Sequence, residues 1–355
     1  MKKTTTAIFA ALSAALAFFS LSSCMEKTET LNLLVWEGYA DPLFTKEFEE
    51  KYGVKINSTY FNTSDDLVAK LKAGGGKSYD LISPSGDMAG FLVQSNMVEP
   101  IDISKISSWE DINPTVILDD VEKDGKIYGV PYLWGPDYLI YDGDVFSEAP
   151  DSWSVFWNPA YAGKVSLYDD ISNIYMIGQM LGLDKNDKTA LYSMSDEQLA
   201  YAKNELVKLN PFVRKYWASA GELSDLFANR EVSIAVGWPL TVSDVNAKGR
   251  NLQWTIPKEG CTGWMDRLMI VKGARHAELA MKYLDYITSP KGQALSSEVT
   301  LYCVVNHKAK EFESKELQEA TYVNELDSFF KKINFWQYVE ARDKYNDIWT
   351  EVKTE

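Results

Sequence analysis

Between Leu31 and Ser83 short apolar runs alternate with amphipathic stretches, and this alternation narrows the folds open to the chain more than any other feature. Leu31 to Trp36 is short and uncharged, the pattern of a strand buried on both faces. Asp41 then predicts a helix cap, with Pro42 at the first helical position, Phe44, Phe48 and Tyr52 on one face and Gly53 as the stop. Val54 to Phe61 reads as the next strand. Ser64 predicts a second cap, Leu67, Val68 and Leu71 an inner face, and the Ala-Gly-Gly-Gly tract that follows an end. Tyr79 to Ser83 reads as a third strand. A βαβαβ unit of this kind builds a parallel sheet that offers ligands the carboxyl ends of its strands. Just beyond those ends stand Trp36-Glu37-Gly38-Tyr39 and Ser83-Pro84-Ser85-Gly86-Asp87. Ser85 and Asp87 suit either a ligand or a helix N-terminus. Trp36 closes its strand and is followed at once by polar residues, whereas a core aromatic usually sits mid-strand.

The unit covers a small part of 355 residues, and a chain this long with 46% hydrophobic residues holds more than one compact core, so two domains are expected. Residues 1–23 read as an export signal. Met1-Lys2-Lys3 supplies positive charge, and Ala7 to Leu21 is an apolar run shorter than the roughly 20 residues of a membrane span. The run ends in Leu21-Ser22-Ser23-Cys24, which matches a bacterial lipobox, so Cys24 is expected to become the lipidated first residue of the mature protein, followed by a linker over 24–29. A plain secretory signal cut near Ser23 is the alternative. The membrane is then met only through this N-terminal lipid, and the domains stand at the periplasmic or extracytoplasmic face.

Loss of the leader removes Lys2 and Lys3 and takes the formal charge from −15 to −17, 34 basic residues against 51 acidic. Such a surface repels nucleic acid and gathers cations, so no nucleic-acid partner is expected. Besides Cys24 only Cys261 and Cys303 are present, too few for a disulfide scaffold; they either pair or stay as buried thiols. His276 and His307 have no ligand spacing, so no metal site and no histidine triad are expected. Gly76-Lys77-Ser78 resembles the end of a phosphate-binding loop, but Leu71 stands where the motif needs glycine, and the tract precedes a strand instead of a helix. No cofactor is expected.

Further along, residues 125 to 141 read as a strand pair or interdomain crossover broken by Pro131 and Gly135. Lys164 to Leu167 reads as a strand before Asp169-Asp170 and a helix, and Val232 to Gly237 as a strand that ends at Trp238-Pro239. The stretch GWMDRLMI, residues 263 to 270, is apolar enough for a buried return crossover. Within it Trp264 and Asp266 are two apart, which puts an indole and a carboxylate on one face of a strand. An ionised carboxylate buried there costs several kcal/mol without a cation or hydrogen bonds to compensate it.

Taken together, VWEGY (35–39), YDLISPS (79–85), VPYLWG (130–135), the WNPAYAGKV block, LYDDISN (167–173), the VGW ending at Trp238, GWMDRL (263–268), TLYCVVN (300–306) and FWQ (335–337) resemble the solute-binding receptors of ABC importers, in the spermidine/putrescine-binding branch. The resemblance spans roughly residues 30 to 350. It implies an α/β, two-lobed periplasmic-binding-protein fold of type II, with a hinge and an interlobe ligand cleft. By the same resemblance lobe 1 is 30–136 with 264–310, and lobe 2 is 137–263 with 311–355. The implied activity is capture of a polyamine, putrescine or spermidine, and its delivery to ABC permease and ATPase subunits, without covalent chemistry.

A polyamine is a string of ammonium groups on methylenes, and it calls for aromatic faces and spaced carboxylates. The resemblance assigns Trp36, Tyr39, Trp238, Trp264 and Tyr302 to an aromatic box, Asp170 and Asp266 to the amines, and Ser85 and Gln337 to polar contacts. Three ligand-binding positions depart from the family pattern: Glu37 replaces a small hydroxyl residue, Asp87 a common Tyr, and Asn173 a second acid. These changes move charge within the cavity and lean toward putrescine. Rival readings are a sugar receptor, a glycosidase using Asp170 and Asp266 as paired carboxylates, and a lipid-anchored sensor or adhesin. An iron(III) receptor is disfavoured because no Tyr-Tyr pair is present.

Overall fold

The computed structural model describes residues 28–113, 119–321 and 333–355, so Cys24 and the leader lie outside the described residues. In chain order, strand β1 (Thr30–Val35) leads to helix α1 (Pro42–Tyr52), β2 (Lys55–Tyr60), α2 (Ser64–Gly74), β3 (Leu81–Ile82) and α3 (Gly86–Gln94). The first cap is the expected one: Asp41 accepts from the Leu43 N–H, and Gly53 closes α1 at φ 66°. The second cap is not Ser64 but Thr63, whose side chain accepts from the Asp66 N–H. Ser64 instead turns inward and its hydroxyl donates to Asp87 at 2.9 Å. Sequence spacing placed the cap within one residue; a buried acid decided which hydroxyl took it.

A short hairpin, β4 (Glu122–Lys123) with β5 (Lys126–Ile127), precedes β6 (Val130–Pro136) and β7 (Tyr138–Asp142). Next come β8 (Val165–Tyr168), α4 (Ser172–Met180), α5 (Asp196–Leu209), β9 (Val213–Trp217), α6 (Ala220–Ala228), β10 (Ile234–Gly237), α7 (Pro239–Ala247) and β11 (Leu252–Thr255). The chain returns through β12 (Cys261–Ile270) to α8 (Ala277–Ile287), α9 (Pro290–Thr300), β13 (Cys303–Val304) and α10 (Lys315–Ala320). It ends with β14 (Ile333–Phe335) and α11 (Arg342–Thr354).

These strands form two principal sheets, one in each of two α/β lobes. The first has the order β13-β6-β12-β3-β1-β2, with β14 against the start of β12; β1 is parallel to β2 and β3, while β3 and β6 are antiparallel to β12. The second has the order β11-β7-β10-β8-β9, with β8 parallel to β9 and β10. Every residue of β6, β7, β10 and β12 is buried, which explains why these runs carry no polar alternation. The chain passes between lobes at Pro136–Tyr138, again between β11 and β12, and a third time between β14 and α11, which packs on α5. β14 pairs with the first sheet although it falls in the 311–355 segment assigned to lobe 2 from sequence. Cys261 and Cys303 are buried free thiols. No helix among the described residues is long and apolar enough to cross a membrane.

Candidate functional site

Strand ends from both lobes meet at one cleft. Trp36 and Glu37 follow β1, Phe61 and Asn62 follow β2, and Ser85 stands at the start of α3. From the other lobe come Ser219, which caps α6, and Trp238, which caps α7 after β10. The crossovers add Trp264 and Asp266 from β12, Tyr302 from before β13 and Trp336 from after β14. These residues line a pocket whose empty space, open solvent included, is about 400 Å³. Its wall is mainly aromatic with a few polar groups, as ligand pockets usually are.

Asp266 is the focus of the pocket. It sits where the β12–β6 register slips between Met265 and Arg267, and it bridges to Ser85 instead of following the regular ladder. The carboxylate is only 2% exposed; the Ser85 hydroxyl donates to one oxygen, and the Tyr39 hydroxyl donates to the other at 2.5 Å. Burial lifts its pKa to about 7 even though both hydrogen bonds and the neighbouring Arg267 favour the charged form. Arg267 does not neutralise it, because the guanidinium turns away to the Met265 carbonyl at 2.6 Å and to Asp120 at 3.2 Å. With no ion-pair partner among the described residues, this acid either keeps its proton or needs a cation beside it to ionise.

The aromatic rings are fixed from behind. Trp264 packs edge-on to Tyr302, with ring centroids 4.5 Å apart, and a Cβ on Gly135 would come within 2.8 Å of its ring, so that position has no room for a side chain. Trp36 tilts onto Phe61 at 4.2 Å and meets Trp238 edge-on at 5.9 Å. Asp137, buried between the lobes, accepts from the indole N–H of Trp238 at 3.1 Å, from that of Trp336 at 3.0 Å and from the Thr262 hydroxyl at 2.6 Å. Burial raises the Asp137 pKa to about 6 against these three donors. The indole N–H groups of Trp36 and Trp264 are buried and have no acceptor among the described residues.

Seven of the twelve ligand residues expected from sequence line this pocket, namely Trp36, Glu37, Ser85, Trp238, Trp264, Asp266 and Tyr302. Tyr39 stands behind it and holds Asp266. The others lie elsewhere. Asp87 is paired with Arg342 at 3.0 Å, and Asp170 accepts from the Ser172 N–H at 2.8 Å, with its pKa raised to about 6 by burial. Asn173 donates to the carbonyls of Tyr168 and Asp170 and borders a separate small pocket. Gln337 reaches toward the Lys188 carbonyl at 3.5 Å, and its neighbour Trp336 takes the wall. Phe61, Asn62, Ser219 and Trp336 were not anticipated. The strand-end rule that singled out Trp36 applies equally to Phe61 and Asn62 at the end of β2.

Contacts cross the cleft directly. Glu37 accepts from the Gly221 N–H of α6 at 3.1 Å, and the Tyr168 hydroxyl donates to the Asn62 carbonyl. The two lobes are therefore closed on each other around the pocket.

The profile of the bacterial extracellular solute-binding proteins matches residues 44–324. The chain belongs to that family. Its members are receptors for solutes outside the cytoplasm, so this is a receptor family and not an enzyme family. The spermidine/putrescine-binding periplasmic protein of Escherichia coli (strain K12) is 26% identical over 319 residues, 89% of this chain and 88% of the relative. The putrescine-binding periplasmic protein PotF of the same organism is 28% identical over 325 residues, 86% and 85% of the two chains. Among solved structures, a putative spermidine/putrescine ABC transporter from Listeria monocytogenes superposes with a TM-score of 0.80 at 25% identity, covering 92% of this chain and 99% of that one. The two lobes and their crossovers are thus those of a two-domain periplasmic binding protein.

Proposed function

We propose that this receptor captures a polyamine, putrescine or spermidine, between its two lobes and presents it to the permease of an ABC importer. The observation that carries the reading is Asp266, a buried carboxylate that shares the pocket wall with Trp264, Trp36 and Trp238 and has no ion-pair partner among the described residues. An ammonium supplies that cation, and the indole faces add cation–π attraction of roughly 0.5 to 2 kcal/mol per contact. Methylenes between the amines pack on the same rings. Glu37, also on the wall, offers a second carboxylate. Relatives named for spermidine and putrescine over nearly their whole length support the same ligand class. ATP hydrolysis belongs to the partner subunits, and the receptor does no covalent chemistry. Lipidation at Cys24 would tether it to a bacterial membrane at the periplasmic or extracytoplasmic face.

Titration calorimetry of the full-length protein against putrescine, cadaverine, spermidine and spermine, with maltose as control, tests the proposal. Micromolar or tighter binding to at least one amine, with none to maltose, is the expected result. Heat with maltose alone would replace the polyamine by a sugar.

A further inference from the structure

We propose that Arg342 occupies the far end of the cleft as the chain's own cation, so that the site takes a diamine and disfavours a triamine. The inference rests on the polyamine reading above and adds a length rule to it.

Three stretches lead out of the pocket wall to one place. Two residues beyond Asn62 is Ser64, two beyond Ser85 is Asp87, and the Ser64 hydroxyl donates to Asp87. From the opposite lobe, Tyr168 touches both the Asn62 carbonyl and Trp238, and two residues on is Asp170. Behind this end of the pocket wall, outside the lining itself, Asp87 and Asp170 therefore stand one from each lobe, the arrangement a second or third ammonium would need. It is already filled. Arg342, the first residue of α11, crosses from the second lobe and places Nη1 at 3.0 Å from Asp87 and Nε at 2.9 Å from Asp65. It is 8% exposed. Its positive charge also favours the ionised form of Asp170, which opposes the burial of that carboxyl.

Counting charges then sets ligand length. The pocket proper holds two carboxylates, Asp266 and Glu37, which match two ammonium groups. A third ammonium would have to take the place that the Arg342 guanidinium already fills beside Asp87, and the two cations would repel each other. Arginine suits this role because it stays charged at every relevant pH and spreads its donors over two carboxylates at once.

The test compares putrescine and spermidine affinities by calorimetry in the full-length protein and in Arg342→Ala. The wild-type protein is expected to bind putrescine at least tenfold more tightly than spermidine, and the variant to shift that ratio toward spermidine by tenfold or more. Removing Arg342 leaves buried acids unpaired, so a second variant, Asp87→Asn combined with Arg342→Gln, removes one charge of each sign, leaves Asp170 available and is expected to shift the ratio in the same direction. A wild-type preference for spermidine, or an unchanged ratio in a folded variant, overturns the length rule while the polyamine reading stands. Absence of binding by both amines in all three proteins overturns the polyamine reading, and the length rule with it.

Discussion

Asp266 sets the pH behaviour expected of the site. Burial raises its pKa from 3.8 to about 7, so the folded protein holds this proton more tightly than the unfolded chain does. The residue accordingly costs nothing below about pH 4, lowers stability as pH rises, and reaches its full cost above about pH 7, on the order of 4 kcal/mol by linkage. A bound ammonium reverses the preference by favouring the carboxylate. Amine binding near pH 6 should therefore expel close to one proton, and near pH 8.5 almost none; calorimetry in buffers of different ionisation enthalpy reads this directly. Heats independent of buffer at pH 6 would show that Asp266 is not the counterion. Asp266→Asn should abolish the proton release and weaken binding by about 2 to 5 kcal/mol, the scale for truncating a buried charge pair. The pairing of an indole with a carboxylate two residues apart was legible from sequence because both belong to one strand. The surroundings of Asp87 were not. Its partner Arg342 is 255 residues further along the chain, and no local spacing encodes a contact of that separation.

At the scale of elements, the first βαβαβ unit was legible in detail: an apolar run marked β1, the Val54–Phe61 reading contained β2, and Asp41, Pro42 and Gly53 bounded α1. β14 was hidden, because three residues too short to show a period owe their strand form to pairing with Cys261–Gly263. That pairing matters to the cleft, since it brings Trp336 beside Trp238. Asp137 then ties the crossovers together by accepting from Trp238, Trp336 and Thr262. Both its oxygens are used, with Trp238 on one and Thr262 and Trp336 on the other. An amide cannot reproduce this, because its nitrogen faces an indole N–H whichever way it is turned. Asp137→Asn should therefore destabilise the protein by about 1 to 3 kcal/mol, the cost of a buried unsatisfied donor, and loosen one wall of the pocket. Urea unfolding together with ligand titration checks both. Unchanged stability with unchanged affinity would show that packing alone holds the two rings.

For the whole molecule the decisive equilibrium is between open and closed lobes, and a ligand shifts it only through contacts that differ between the two states. The Glu37–Gly221 bond is one of these, since it joins the turn after β1 to the first turn of α6 across the cleft. There the carboxylate meets both a free backbone N–H and the positive end of a helix. Gly221 does not line the pocket, which allows closure to be altered without touching the wall. A Cβ at Gly221 would stand 2.9 Å from Glu37 Oε1, so alanine there forces the carboxylate off the helix end in the closed state only. The helix propensity that alanine gains over glycine is present in both states and cancels from this equilibrium. Gly221→Ala should raise the dissociation rate constant by about fivefold to tenfold, the kinetic counterpart of about 1 kcal/mol lost from the closed form, and leave the association rate constant within a factor of two. Stopped-flow tryptophan fluorescence can follow both, because Trp36, Trp238, Trp264 and Trp336 all face the ligand space. A slower association with unchanged dissociation would instead assign Glu37 to steering the cation in, the role that the net charge of −15 already serves at longer range. A thermal midpoint in the ligand-free variant that does not fall would confirm that the substitution acts on closure and does not damage the fold.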